Sequence, residues 1–141
     1  MTNSDAEKMK KILTDAKRIA VVGATSDPSR PSNTIPAYMQ EQGYEIIPVN
    51  PRGGEMLGSE AVAALADVQG SIDIVNVFRR SEQTPEVARE AVAAGAKVLW
   101  LQLGIASDEA RQIAEDGGLE VVMDACIGVE HGRLGLGPGP H

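Results

Sequence analysis

Five short, largely apolar runs, at residues 19–22, 44–49, 72–78, 97–101 and 119–123, are separated by longer stretches with apolar positions at helical spacing. A strand that is apolar at nearly every position needs cover on both faces, which is the condition of a parallel sheet in an α/β domain. The stretches between carry matching punctuation. Residues 4–17 read as a helix, with Ser4 and Glu7 spaced as a capping box and Met9, Ile12, Leu13 and Ala16 on one stripe. Residues 33–42 fit a helix that stops at Gly43, and Thr84 with Pro85 supplies an N-cap and an N1 proline for a helix ending near Gly95. Ser107, followed by Asp108 and Glu109, opens another that ends at Gly117 and Gly118, and residues 59–66 predict a shorter one. The expected fold is a doubly wound α/β domain: a five-stranded parallel sheet in the Rossmann-like order 3-2-1-4-5, with helices on both faces. The flavodoxin-like order 2-1-3-4-5 satisfies the same periodicity. Past Met123 the pattern fades, and residues 132–141, rich in glycine and proline, read as an extended tail.

With 141 residues and 43% apolar content, the chain suffices for one core, so residues 1–141 are read as one domain. No window approaches the roughly 20 apolar residues of a membrane span. The first residues, MTNSDAEKMKKILTDAK, are polar and charged, unlike a signal peptide. A cytoplasmic protein without membrane association is expected, and the single cysteine, Cys126, suits a reducing compartment. A formal net charge of −7 argues against nucleic acid as a partner, since phosphate-backbone binding needs concentrated positive charge. Any anionic ligand must be met by local cations.

In an open α/β sheet, ligands bind beyond the carboxyl ends of the strands. The loops expected there read Gly23-Ala24-Thr25-Ser26-Asp27-Pro28-Ser29-Arg30-Pro31-Ser32-Asn33, Asn50-Pro51-Arg52-Gly53-Gly54, Arg79-Arg80-Ser81 and Gln102-Leu103-Gly104. Arg30, Arg52, Arg79 and Arg80, four of the eight arginines, fall on this rim with none of the five lysines. Guanidinium forks hold phosphate through paired charge-assisted hydrogen bonds, so this segregation points to a ligand with several phosphates. Gly23 lets the backbone turn sharply, Asn33 marks a helix start whose donors and dipole favour an anion, and Thr25, Ser26 and Ser32 add hydroxyls. Pro28 and Pro31 stiffen the loop, leaving Arg30 less entropy to lose on binding. Two common nucleotide fingerprints are missing. The second and third glycine positions of G-x-G-x-x-G are Thr25 and Pro28, and the second strand ends in Val49-Asn50-Pro51 without an acidic residue. No G-x-x-x-x-G-K-[ST] loop occurs either.

Taken together, the segments GATSDPSRPS, IIPVNPRGGEMLG, IDIVNVFRR, GAKVLWLQLGI and VVMDACIGVEH resemble the small stand-alone coenzyme A-binding proteins. Those are similar to the coenzyme A-binding Rossmann domain of the succinyl-coenzyme A synthetase α subunit and of related acyl-coenzyme A synthetases. The resemblance runs over roughly residues 10–134. It implies that coenzyme A or an acyl-coenzyme A lies across the rim, with its diphosphate near Gly23, Ala24, Thr25, Arg30 and Ser32. It further implies adenosine near Asn50, Pro51 and Arg52, a second wall of Val77, Phe78, Arg79 and Arg80, and a pantetheine arm approached by Gln102 and Gly104. The larger synthetases carry a catalytic phosphohistidine in a separate domain that nothing in this sequence matches, so their ligase activity is not transferred.

Cys126, in Asp124-Ala125-Cys126 after the last strand, is a candidate for a mixed disulfide with the coenzyme's thiol, set against the ordinary use of a lone cysteine as a buried, inert thiol. Glu130 and His131 have the chemistry of a base and its orienting partner, but neighbours on a strand point apart and no nucleophile lies near, so no catalytic residue is assigned. His131, His141 and Cys126 lack a zinc spacing, and no metal is expected. Trp100 reads as packing; Phe78, at a strand end, reads either as a stacking platform or as core. The preferred reading is a coenzyme A or acyl-coenzyme A binding module that is not itself an enzyme. One alternative is an enzyme or redox component using coenzyme A, through Cys126 or as one subunit of a two-component acyl-coenzyme A ligase. Another is an NAD(H)- or nucleotide-binding regulatory domain. A homo-oligomer is compatible with so small a domain, but no residue marks an interface.

Overall fold

The computed structural model describes residues 3–137. The Ser4 side chain, and with it the expected capping box, as well as residues 138–141 of the expected tail, lie outside the described residues. The strands are β1 (Arg18–Val22), β2 (Glu45–Val49), β3 (Glu55–Met56), β4 (Ser59–Glu60), β5 (Ile74–Val77), β6 (Val98–Leu101) and β7 (Glu120–Val122). The helices are α1 (Asn3–Asp15), α2 (Pro31–Glu41), α3 (Thr84–Ala93), α4 (Asp108–Asp116) and α5 (Ile127–Arg133). Five parallel strands form one sheet in the order β2-β1-β5-β6-β7, and β3 pairs with β4 as a separate antiparallel hairpin.

The strand residues divide by parity between two cores. Ile19, Val21, Ile74, Val98 and Trp100 face α1, α2 and α5, while Ala20, Val22, Val75, Leu99 and Leu101 face α3 and α4. All these positions are buried, which is why the strands read as continuous apolar runs, and each large aliphatic contributes about 1.5–3 kcal/mol. The doubly wound α/β class with helices on both faces is therefore as expected.

The strand order is not. Counting only the five long strands, it is 2-1-3-4-5, the flavodoxin-like arrangement, where 3-2-1-4-5 was expected. Pro48 gives the physical reason. Within β2, the carbonyl of Pro48 and the N–H of Asn50 both point away from β1, toward Val62, at 3.0 and 2.9 Å. The missing N–H of Pro48 belongs to that same outer side, a position tolerated on an edge strand and costly in the middle of a sheet. Val62 bridges Val49 there, after which the chain crosses to the α3 face through Leu65 and enters β5 beside β1. At the other edge, Lys8 Nζ donates to the carbonyl of Val121 at 2.6 Å.

Residues 59–66 are not a helix. They hold β4 and run into a 3-10 turn at Leu65–Asp67, because Ala61 belongs to one core and Leu65 to the other, which a single helical stripe cannot satisfy. Helix α2 starts at Pro31, two residues before the expected Asn33, and α3 includes Thr84 as its first residue, with Gln83 as the cap. Ser107 does cap α4, its hydroxyl accepting the Ala110 N–H at 3.1 Å. The expected tail begins too early, since Gly132 and Arg133 complete α5.

Asp73 ties the amino ends of three strands. Its Oδ2 accepts the N–H groups of Lys17 and Arg18 at 2.8 and 2.9 Å, and its Oδ1 faces Lys97 Nζ at 3.3 Å. Burial works to raise its pKa, but the two backbone donors and Lys97 together outweigh burial and hold it below the ordinary carboxylate value. A folded-state pKa below the unfolded one gives stability that is complete above the unfolded value of about 4 and is lost as pH falls through the folded value. Asp73→Asn should therefore lower the urea midpoint at pH 7 by the equivalent of roughly 1 kcal/mol and flatten its decline below about pH 4. An acid limb identical to that of the parent protein would assign the acid sensitivity elsewhere.

Candidate functional site

The chain leaves β1 toward the α2 face and leaves β5 toward the α3 face, so the carboxyl ends of these paired strands mark the switch point of the sheet. Gly23 sits there with φ +91°, and a Cβ added to it would lie 2.7 Å from the carbonyl oxygen of Phe78. Its N–H donates to Val49 at 3.2 Å, while the N–H of Phe78 donates to Val22 at 2.9 Å, so the loops after β1, β2 and β5 meet at this residue.

The loop after Gly23 is braced by its own polar groups. Asn50 Nδ2 donates to the carbonyl of Ala24 at 2.9 Å, and Asn33 Nδ2 to that of Thr25 at 2.8 Å. Asp27 accepts from the Ser29 hydroxyl at 2.6 Å and the Ser29 N–H at 2.9 Å; these bonds, with a smaller contribution from Arg30, hold its carboxyl below the usual value. The Arg30 guanidinium rests 3.6 Å from the same carboxylate, exposed. Arg30 is also the cap residue of α2, and no side chain caps that helix; Pro31 has no N–H and those of Asn33 and Thr34 already donate to the Arg30 carbonyl, so the helix offers an anion its dipole and the Ser32 N–H.

Two clefts open on either side of the Phe78-Arg79 turn. The larger, about 650 Å³, lies on the α2 face and is lined by Arg30, Ser32, Ile35, Phe78, Arg79, Arg80, Gln102, Gly104, Ile105 and Cys126 among others. The smaller, about 360 Å³, lies on the α3 face against Val22, Val49, Pro51, Leu65, Arg79 and Val87. Arg79 lines both, is half-buried, and has neither a hydrogen bond nor an ion pair to its guanidinium among the described residues. Arg80 lies 3.8 Å from Glu82 in an exposed pair, a contact worth little against a phosphate.

Most of the expected site residues converge. Arg30, Ser32, Phe78, Arg79, Arg80, Gln102 and Gly104 share the larger cleft, Pro51 joins Arg79 at the smaller, and Gly23 forms the turn at the switch point, while Thr25 lines neither cleft and its hydroxyl accepts the Asp27 N–H at 3.2 Å. Others do not reach the ligand space with their side chains. Ala24 and Val77 are fully buried in the core, because inward-facing positions at a strand end pack before they bind. Asn50 spends both ends of its amide on the protein, holding Ala24 and accepting the Arg52 N–H at 2.9 Å, and Arg52 is exposed and lines neither cleft. Ile35, Ile105 and Leu65 escaped the sequence reading; a start of α2 at Pro31, signalled by the N1 proline, would have brought Ile35 into view.

Gln102 is buried, at 4% exposure. Its Oε1 accepts from Asn76 Nδ2 and from the Ile127 N–H, each at 3.3 Å, while its Nε2 has no partner. His131 lies in the core on α5, its Nδ1 3.0 Å from the Tyr38 hydroxyl and its ring edge-on to Tyr44. Glu130 and His131 are thus helical neighbours, where strand neighbours were expected, and His131 lines neither cleft. Trp100 is core, donating from its indole to the carbonyl of Ala125 at 2.9 Å. Among the described residues no group of three or more His, Cys, Asp or Glu is placed to hold a metal ion, and no helix is long and apolar enough to cross a membrane.

Fold and rim together define a Rossmann-like α/β protein whose switch point is flanked by arginine-lined clefts. The chain belongs to the CoA binding domain family, whose model matches residues 17–132. It is similar to the uncharacterized protein YneT of Bacillus subtilis, 50% identical over 131 residues that make up 93% of this chain and 97% of that one. A solved structure from Thermus thermophilus is 43% identical, with a TM-score of 0.87 over 92% of this chain and 98% of its own. The ADP-forming acetate–CoA ligase of Methanocaldococcus jannaschii is 20% identical over 134 residues, which span 89% of this chain and 19% of the ligase.

Gly23→Ala tests the contact at the switch point. The added methyl meets a backbone oxygen and the positive φ is strained for any side chain, so a loss of about 2 kcal/mol in denaturant unfolding is expected. A loss under about 0.5 kcal/mol, within the range of ordinary surface changes, would show that the two loops separate freely.

Proposed function

We propose that this protein binds coenzyme A or an acyl-coenzyme A across the paired clefts at the β1/β5 switch point and performs no chemistry on it alone. The observation that carries this reading is Arg79, a half-buried guanidinium that lines both clefts and lacks a partner among the described residues, in a chain of the CoA binding domain family. When bound, coenzyme A supplies a terminal thiol that carries acyl groups as thioesters. Arg30, Arg79 and Arg80, with the Ser32 hydroxyl and the uncapped start of α2, hold the phosphates. The smaller cleft, walled by Val22, Val49, Pro51 and Leu65, suits a flat heterocycle, with Arg52 exposed on the turn beside it. The larger cleft, with Ile35, Phe78 and Ile105, suits the arm.

Isothermal titration with coenzyme A, acetyl-coenzyme A, NADH and ATP tests this. Micromolar binding of coenzyme A is expected, weakened about tenfold by Arg79→Ala and by Arg30→Ala, as for loss of a charge-assisted contact. Tight NADH or ATP binding that coenzyme A cannot displace would replace the reading with that of a nucleotide-binding regulatory domain.

Cys126 supports a second reading because it lines the same cleft as Gln102 at 9% exposure. In that reading the Cys126 thiolate attacks the disulfide of oxidised coenzyme A: a new S–S bond forms to the protein, the old one breaks, and one coenzyme thiolate leaves. Intact-mass measurement after incubation with the oxidised coenzyme should then show one adduct that reductant removes and Cys126→Ser abolishes. An unchanged mass makes Cys126 a wall of the cleft and nothing more.

A further inference from the structure

We infer that Gln102 Nε2 donates to the thioester carbonyl of the bound ligand, so that the site favours short acyl-coenzyme A over the free thiol. This rests on the coenzyme A reading above. Among the described residues two buried side-chain atoms lack a hydrogen-bond partner, Gln102 Nε2 and Glu130 Oε1, and Gln102 lines the larger cleft. The amide orientation is fixed from the protein side. Asn76 Nδ2 and the Ile127 N–H both donate to Oε1, so turning the amide over would set two donors against an NH2 group. The free group is therefore a donor, and a buried donor left unmet is costly and rare in native proteins.

Besides the arginines the cleft holds Ser32, Ser81, whose hydroxyl accepts the Ala106 N–H at 3.1 Å, and Glu82, which faces Arg80 at 3.8 Å; Ile35, Phe78, Leu103, Ile105 and Cys126 give the rest of its side-chain lining an apolar or weakly polar character. A ligand anchored by its phosphates at Arg30, Arg79 and Arg80 thus meets, at Gln102, a buried NH2 without a partner. The arm of coenzyme A offers two kinds of acceptor. An amide carbonyl comes with an N–H that needs an acceptor of its own, and Oε1, the acceptor beside Nε2, already takes two donors. A thioester carbonyl brings no donor. It matches an amide whose NH2 is unmet and whose own oxygen is already taken, and its alkyl group fits the apolar part of the wall.

The test compares acetyl-coenzyme A, S-ethyl-coenzyme A, in which a methylene replaces the carbonyl, and free coenzyme A, by titration of the parent protein and of Gln102→Glu. The glutamate retains an oxygen for Ile127 and Asn76 and replaces the donor with an acceptor. The parent protein should bind acetyl-coenzyme A about five- to tenfold more tightly than S-ethyl-coenzyme A, the margin of one hydrogen bond. Gln102→Glu should erase that margin between acetyl-coenzyme A and S-ethyl-coenzyme A, whatever the added charge does to both affinities. Equal affinities of the parent protein for the two ligands would overturn the inference without any variant, and would mean that water serves Nε2. An acetyl-over-S-ethyl margin that survives in Gln102→Glu would overturn it in favour of an amide carbonyl or a purely structural role. If none of the three binds the parent protein, the coenzyme A reading itself fails and this inference falls with it.

Discussion

The approach of two backbones at the ends of β1 and β5 is the constraint on which the site depends. Gly23 lies against the carbonyl of Phe78 more closely than any residue with a side chain allows, and this closeness lets two loops that turn to opposite faces start from one point. Everything with ligand chemistry hangs from that divergence. Arg30 and Ser32 follow on the α2 side, Arg79 and Arg80 on the other strand, and Asn50 pins the first loop to the third element of the junction, the end of β2. The site is rigid where backbones meet and adjustable where arginines reach, which is the division of labour expected of a scaffold that binds an extended anion.

Five buried strands were legible because a strand covered on both faces has no polar face to conceal it, and the N1 proline and serine cap announced α3 and α4. The strand order was harder, since periodicity says what a strand faces and not which strand lies beside it. Yet Pro48 carried the answer: a residue with no N–H in the second strand belongs at an edge, and only the 2-1-3-4-5 order puts it there. Helix α5 was hidden by the residues that allow it to pack. Gly132 opened the expected tail, and a Cβ at Gly128 would meet Ile35 and Tyr38 of α2 at 3.4 Å, ordinary contact distance, so α5 lies close against α2 there. The arginine rim was legible as composition and order; the split into two clefts was not, because it depends on Leu65 crossing to the α3 face through a stretch whose spacing imitates a helix.

Polar groups inside the α2/α5 side of the sheet form a short chain of dependence. Trp100 holds Ala125, Gln102 holds Ile127 and is itself held by Asn76, and α5 is thereby fixed to the strands by side chains rather than by the sheet's own ladder. Asp124, in a left-handed conformation with φ 55°, accepts the Gly104 N–H at 2.7 Å and so joins the loop after β6 to the turn that leads into this helix. The wall of the larger cleft and the core of the domain therefore share residues, and a change on one side is felt on the other.

Pro48 at one border of the sheet has a counterpart in Lys8 at the other, whose ammonium occupies the outward carbonyl of Val121. Each border is blunted against strand addition by a different device, a missing donor reinforced by the Val62 bridge on β2 and an occupied acceptor on β7. Among the described residues a sheet so terminated is a poor template for intermolecular β-pairing at these positions. Growth by edge-to-edge strand pairing is disfavoured where these two devices act.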